Sequence, residues 1–485
     1  MSINYKKGQL LVLILVLSSI SIILIGGLVG WAGVNIKASR QSLDKERAIQ
    51  LAESGIDYYR WHLAHASQDF QDGTGQAGPY VHDVKDKNGV SIGSFSLTIT
   101  PPIVGSTKVK VVSTGMPTST SIVRKIQVEF AIPSLAKYAV VANDNIRFGE
   151  GTEVFGPIHS NQGIRFDGFT HNNITSALAS YDDPDHSGAA EYGVHTHLNI
   201  PVSSGVNDTF RPLEAPPATI AARSDVFEVG RQFPVPAEDF VGLTTNLAQI
   251  KTSAQSSGRY FAPSGAQGYL IILKTNDTFD LYKVNTQVTP SSNCTNSTSQ
   301  TGWGTWSVNT KTFVANYAIP VNGLIFVEDN LWVEGAINTA RVTIAAGRFP
   351  DSPATRPAIT VNNNLTYTNY DGTDVVSLIS QGNLNVGMVS QDNLRIDAAL
   401  VAQNGRVGRY YYPGPGNRTC APYHSRASIT LYGMIVTNLR YGFAYTDGNG
   451  YDVRNITYDA NLLYGPPPSF PLTTDQYQVI SWQEI

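Results

Sequence analysis

The first strong pattern along the chain is an apolar run over residues 10–34, relieved only by Ser18, Ser19, Ser21 and small residues. As a helix rising about 1.5 Å per residue it spans roughly 37 Å, enough for a bilayer core of about 30 Å. Lys6 and Lys7 stand directly before it, and no small-residue cleavage site of the ordinary secretory kind follows it. Instead the run passes through Lys37, Arg40, Asp44, Lys45, Glu46 and Arg47 into a segment with a different period. There Ala48, Leu51, Ala52, Gly55, Ile56, Tyr59 and Leu63 recur at three- and four-residue intervals, which places them on one helical face. The pattern predicts one helix over 9–70, apolar all round in its first half and amphipathic in its second. Its short N-terminal flank favours an N-in, C-out orientation, with little bias from Lys6 and Lys7 against Lys37 and Arg40.

Beyond residue 70 the period changes to two. Residues 94–100, 108–111 and 122–130 alternate apolar and polar, which predicts antiparallel strands of a small sheet over 71–135. From 136 onward a short motif recurs: a polar residue or Gly, then Leu or Ile, then any residue, then an apolar one. It is seen at 145–148, 163–166, 330–333, 364–367, 383–386 and 393–396, usually opened by Asn. Short strands with Asn at their corners, each able to bury its inward side chains only against a neighbouring copy, predict a right-handed parallel β-helix-like domain. The irregular spacing leaves a β-sandwich as the alternative. The fold class is thus mainly β behind one N-terminal helix. The expected divisions are 136–240 as the first part of the β-helix with a loop insertion at 182–206, 241–310 as an insertion with a short helix over 244–255, 311–465 as the main β-helix, and 466–485 as a tail. Pro466, Pro467 and Pro468 cannot continue a central strand, so the tail is expected along the solenoid surface.

Composition agrees with many turns. The 485 residues include 43 Gly and 26 Pro, and only 15% are charged. The apolar content is too high for disorder, and a net charge of −4 offers no basic surface for nucleic acid. The two cysteines, Cys294 and Cys420, either close one long loop or stay apart as thiols, and their spacing does not decide between these.

Candidate chemistry concentrates in one region. His159, His171, His186, His195 and His197 fall close together with Asp182, Asp183 and Asp185. His195 and His197, two apart, share a strand face, so a divalent metal could be held by them with His186 and Asp185. The competing reading is loop histidines hydrogen-bonded to turns. Residues 447–452 place oxygens at alternate positions as calcium loops do, but lack the distal bidentate Glu and read as a Gly-rich turn. No nucleophile elbow, Walker loop or dinucleotide fingerprint is present, so no catalytic residues and no organic cofactor are expected.

The junction Lys6-Lys7-Gly8-Gln9 before Leu10-Leu11-Val12-Leu13 resembles a type IV prepilin leader. That resemblance implies a leader over 1–8, cut by a prepilin peptidase between Gly8 and Gln9. The stretch Ala52-Glu53-Ser54-Gly55-Ile56 resembles PilX-type minor pilins, and 156–161, 193–197 and 458–468 look like stretches of uncharacterised PilX-type proteins with β-helical C-terminal domains. Major pilins carry Glu at the fifth mature position, where this chain has Leu13. The departure points to a minor or tip subunit. The resemblance implies a non-enzymatic component of a type IV pilus or related filament, single-pass in the inner membrane before assembly and at the pilus or cell surface afterwards. Its expected partners are other pilins or pseudopilins through the helix, the prepilin peptidase, and surface glycans or proteins, for assembly priming or adhesion. The alternatives are a membrane-tethered β-helical polysaccharide-active enzyme and a static surface-anchored protein.

Overall fold

The computed structural model describes residues 5–240, 247–416 and 419–485. The chain is mainly β with one long N-terminal apolar helix, an antiparallel sheet and a large parallel sheet. It divides into two compact units, one of Met1–Pro102, Lys108–Ala131 and Asp475–Ile485, the other of Ile103–Thr107 and Ile132–Thr474.

In the first unit a single helix, Tyr5–His65, covers both expected halves. Its apolar half is exposed throughout, and by length and composition it can cross a membrane. Its second half buries Ala48, Leu51, Ala52, Ile56, Tyr59 and Leu63, the face predicted from their spacing. That face lies on an antiparallel sheet ordered Tyr80–Lys85, Ser91–Thr100, Val109–Pro117, Arg124–Ala131 and Gln478–Glu484. The alternation expected in the sequence sends Phe95, Leu97, Val109, Val111, Ile126, Val128 and Phe130 inward. Helix and sheet approach closely because small residues meet. A Cβ built on Gly115 would lie 2.0 Å from the Ala48 carbonyl oxygen and 2.6 Å from the Ala52 nitrogen. The fifth strand is a correction to the expected tail: residues 478–484 pair with 126–131 and belong to this sheet. Only 466–474 run with the second unit, where Arg341 donates to the carbonyls of Gly465 and Pro466 and Thr343 to that of Pro468.

In the second unit the pairing is overwhelmingly parallel, which removes the β-sandwich alternative. One ladder runs Arg259–Phe261, Leu324–Val327, Arg341–Ala346, Val375–Ser380, then the ends of Asn393–Ala402 and Ser425–Thr437. It continues from Thr437 onto Val140–Ala142, Ile158–Ser160, Ile174–Ser176 and Arg231–Gln232. A second ladder stacks Gly268–Leu273, Leu331–Ile337, Ile359–Thr360, Leu384–Val386 and Val407–Arg409. The chain therefore enters mid-ladder at residue 140, winds to 232, crosses to the opposite end at 259, and winds back until 435–437 meets its own start. The stretch 241–310, expected as an insertion, instead supplies two strands of this parallel stack. What is inserted is the antiparallel pair Thr278–Gln287 and Val308–Ala318. The expected short helix is Leu247–Ser257, burying Leu247, Ile250 and Ala254, while 244–246 of the predicted span lie outside the described residues.

The recurring Asn has a physical task. The Asn145 side-chain oxygen accepts the Gly163 amide at 2.9 Å, Asn330 that of Ala358 at 3.0 Å, Asn364 that of Arg395 at 2.9 Å, and Asn383 that of Arg406 at 3.0 Å. Each of these four Asn thus satisfies a backbone donor on the adjacent coil, where the ladder itself breaks off. The same bond spans sequence separations from 18 to 31 residues, so the motif recurs without a fixed period. Cys294 and Cys420 are joined in a disulfide beside Met388, Tyr410 and Tyr412.

Candidate metal centre

The segment after residue 176 has little regular structure, and what it has sets the geometry of one cluster. Ser180–Tyr181 pairs antiparallel with Glu191–Tyr192, and Val194–His195 lies parallel on Ile164–Phe166. Between these two short strands Gly193 packs so closely that a Cβ would lie 1.8 Å from the Leu178 carbonyl oxygen. The turn through 182–186 is tied by the Asp185 amide donating to Asp183 Oδ1 at 3.0 Å.

These constraints bring ligand atoms of Asp183, His186, Glu191 and His197 within 4.8 Å of one another, with His195 against them. Glu191 Oε2 lies 3.0 Å from His186 Nε2, 3.2 Å from His195 Nε2 and 3.1 Å from His197 Nε2. Asp183 Oδ2 lies 3.6 Å from His186 Nε2 and 3.5 Å from His195 Nε2. The side chains of Glu191, His195 and His197 are 0% exposed, and those of Asp183 and His186 are 3% and 5%. Burial by itself raises both carboxyls. Beside Asp183, His195 and the Asp185 amide more than offset this, and beside Glu191, His197, His195 and the Arg211 amide do the same. Both are held below the usual carboxylate range and are ionised at neutral pH.

Guanidinium groups border the cluster. Arg165 is fully buried, with Nε 2.7 Å from Asp167, a contact to Asp208, and Nη1 3.6 Å from Asp183. Arg147 reaches Asp185 at 3.1 Å, Asp208 at 2.8 Å and Asp167 at 3.6 Å.

Of the residues expected to hold a metal, His186, His195 and His197 come together and Asp185 does not. Its carboxylate is taken by Arg440, at 2.5 and 2.8 Å, and by Arg147. The acids that join the histidines are Asp183 and Glu191. Glu191 was not singled out from the sequence, although Glu191, His195 and His197 stand in one short run at spacings of four and two residues, which is the signal that could have found it. The remaining histidines lie elsewhere. His159 is buried between Thr175 and Asn161. At 447–452, Asp447 accepts from Asn449 and from the Tyr411 hydroxyl, closing an ordinary turn.

No protein-family model matches the chain, and no curated protein matches it. Among solved structures it is similar to the competence-associated pilin ComZ from Thermus thermophilus, at 12% identity and a TM-score of 0.31, covering 91% of this chain and 98% of that one. A likeness this loose carries no argument about the role of the present chain.

His171 offers a separate test of the local electrostatics. It lies between Glu153 at 2.8 Å and Glu228 at 2.6 Å, stacked on Phe155. Burial lowers its pKa, but the hydrogen bonds to both glutamates outweigh this and raise it above the ordinary imidazole value of about 6.5. The folded state therefore holds this proton more tightly than the unfolded state. The stabilisation is full below about pH 6.5 and is lost as pH rises through the folded value. Urea midpoints of wild type and His171→Ala are expected to differ most near about pH 5.5 and to draw together as pH rises above the ordinary imidazole value. A difference that does not change with pH would refute the assignment.

Proposed function

We propose that the chain is a membrane-anchored, pilin-like structural subunit, a minor component of a type IV pilus or related filament that displays its parallel-stranded unit outward, at the tip, for priming or adhesion. The observation that carries this reading is the single helix of the first unit. Its first half is an exposed apolar span, and its second half buries one face on an antiparallel sheet. A helix built this way can reside in a bilayer and then exchange lipid for the helices of neighbouring subunits. Gly26, Gly27 and Gly30 leave room for close helix approach in that span. The prepilin-like junction before Gln9 supports the same reading.

Two features favour a scarce or terminal position. Leu13 stands where a filament-shaft subunit would offer Glu to a neighbour's terminal ammonium, and an unpaired charge in an apolar core costs several kcal/mol. The second unit, Ile132–Thr474 with a short preceding segment, would crowd a tightly wound shaft. A polysaccharide-active enzyme has weaker support. A cavity of about 340 Å³ in the second unit is lined by one carboxylate, Glu238, already engaged by the Tyr138 hydroxyl and by Lys137. Glycoside cleavage ordinarily needs two.

In cells with an active prepilin peptidase, N-terminal sequencing is expected to start at Gln9. Immunogold labelling of sheared filaments against an epitope in 311–465 is expected at ends or isolated spots. Dense labelling along the shaft would overturn the tip position. Absence from filaments, with an uncut Met1 start, would favour the static surface anchor.

A further inference from the structure

We propose that Asp183, His186, Glu191 and His197, with His195 against them, bind one divalent first-row transition-metal ion, and that this ion ties the 182–186 turn to the short strands Glu191–Tyr192 and Val194–His195. The inference does not depend on the filament reading.

The tautomers are the first support. His195 Nδ1 faces the Tyr192 carbonyl at 3.1 Å, His197 Nδ1 the Asn207 carbonyl at 2.7 Å, and His186 Nδ1 the Ser187 carbonyl at 3.3 Å. A carbonyl only accepts, so each Nδ1 carries a proton, and each Nε2 is the ring nitrogen left to offer a lone pair to an ion in the cluster. The carboxylates are oriented in the same manner. Glu191 Oε1 accepts the Arg211 amide at 2.8 Å and Asp183 Oδ1 the Asp185 amide at 3.0 Å, leaving Oε2 and Oδ2 to face inward. Outer partners of this kind are what fixes metal ligands in place.

Spacing is the second support. Lone pairs of three imidazoles and two carboxylates facing one another repel unless a cation lies among them. The separations of 3.0 to 3.6 Å are the edges of a coordination polyhedron whose ligands sit about 2.1 Å from the ion. Two of the inward atoms, His195 Nε2 and Asp183 Oδ2, are buried with no hydrogen-bond partner. An orphaned buried polar atom is costly, and coordination would satisfy both.

Charge is the third. Asp167, Asp183, Asp185 and Asp208 contact three guanidiniums, Arg147, Arg165 and Arg440, and Glu191 adds a fifth carboxylate that faces only histidines. Two negative charges remain, which one divalent ion neutralises. Three imidazoles with two carboxylates and no thiolate suit zinc, manganese, iron, cobalt or nickel. Calcium and magnesium prefer all-oxygen sites. With these side chains almost wholly buried, the coordination shell is filled by protein. The ion is therefore structural, doing for 182–195 what a hydrophobic core does for the ladders.

The test uses the full chain in detergent, purified without chelator, dialysed against Zn²⁺ and then against metal-free buffer, with metal content measured directly. About one first-row ion per chain is expected, and chelation should lower the melting temperature and open 182–195 to protease before the ladders. Glu191→Gln should lose the ion at least tenfold more readily. His186→Asn, in the turn and less constrained by the ladders, should weaken binding roughly 10- to 100-fold with the far-ultraviolet spectrum unchanged. Under a tenth of an ion per chain after Zn²⁺ dialysis, with a melting temperature indifferent to chelator, would overturn the proposal. So would an ion retained equally by wild type and both variants.

Discussion

Arg409→Leu is expected to destabilise the parallel-stranded unit by about 3 kcal/mol or more, because it strands several buried acceptors at once. Arg409 ends the strand Val407–Arg409 and is fully buried. Its guanidinium donates to the carbonyls of Gly387, Met388 at 3.0 Å and Tyr423 at 2.6 Å, and to Ser390 Oγ at 2.8 Å. It lies over the rings of Tyr412 and Tyr451, which add cation–π attraction. Burial lowers its pKa, and a fork of carbonyls rather than a carboxylate holds the charge. Leucine removes the cost of burying that charge but takes the donor from the Gly387 and Tyr423 carbonyls and leaves that of Met388 with only the longer bond from Arg426 at 3.3 Å, at about 1 to 3 kcal/mol for each lost partner. Arg406→Leu is the control, since Arg406 is half-buried and makes one bond, to the Arg409 carbonyl. Urea titrations followed by tryptophan fluorescence should put the Arg409→Leu midpoint well below that control. Equal midpoints would mean that the carbonyls find water.

Gly115→Val is expected to cost the first unit about 3 kcal/mol, the upper end for overpacking. The added Cβ would meet backbone atoms of Ala48 and Ala52, which cannot rotate aside as a side chain can. The helix must lift, and Ala52, Ile56, Tyr59 and Leu63 then lose contact with the sheet. Thr114→Val, one residue along the same strand and on its other face, should be nearly neutral. Amide exchange of residues 48–63 should accelerate in Gly115→Val and stay as in wild type in Thr114→Val. Unchanged exchange in both would show that the helix does not depend on that close approach.

Local periodicity carried much of this fold. The apolar run, the helical face from Ala48 to Leu63, the alternating strands and the Asn-opened coils each depend on neighbours a few residues away, so they are legible in one dimension. The candidate centre was half legible for the same reason. His186, His195 and His197 announced themselves by residue type. The choice between Asp183 and Asp185, two residues apart in one turn, rests on which carboxylate Arg440 captures from 255 residues away. Glu191 stands in the same short run as His195 and His197, but only the fold-back at Gly193 shows that its carboxylate faces their rings.

What the sequence by itself determined is the set of parts: a helix long enough for a membrane and amphipathic beyond it, a sheet of alternating strands, coils cornered by Asn, and histidines gathered near acids. Only the tertiary structure decided how those parts are threaded. The final strand, Gln478–Glu484, completes the sheet begun at residue 80, and the coil ending at Thr437 stacks on the coil beginning at Val140. Cys294 meets Cys420, which spacing left open. Strand pairing is made of backbone hydrogen bonds that any residue but proline can supply, so the partner of a strand is not written in its own side chains. It is selected by which arrangement buries all the apolar faces together.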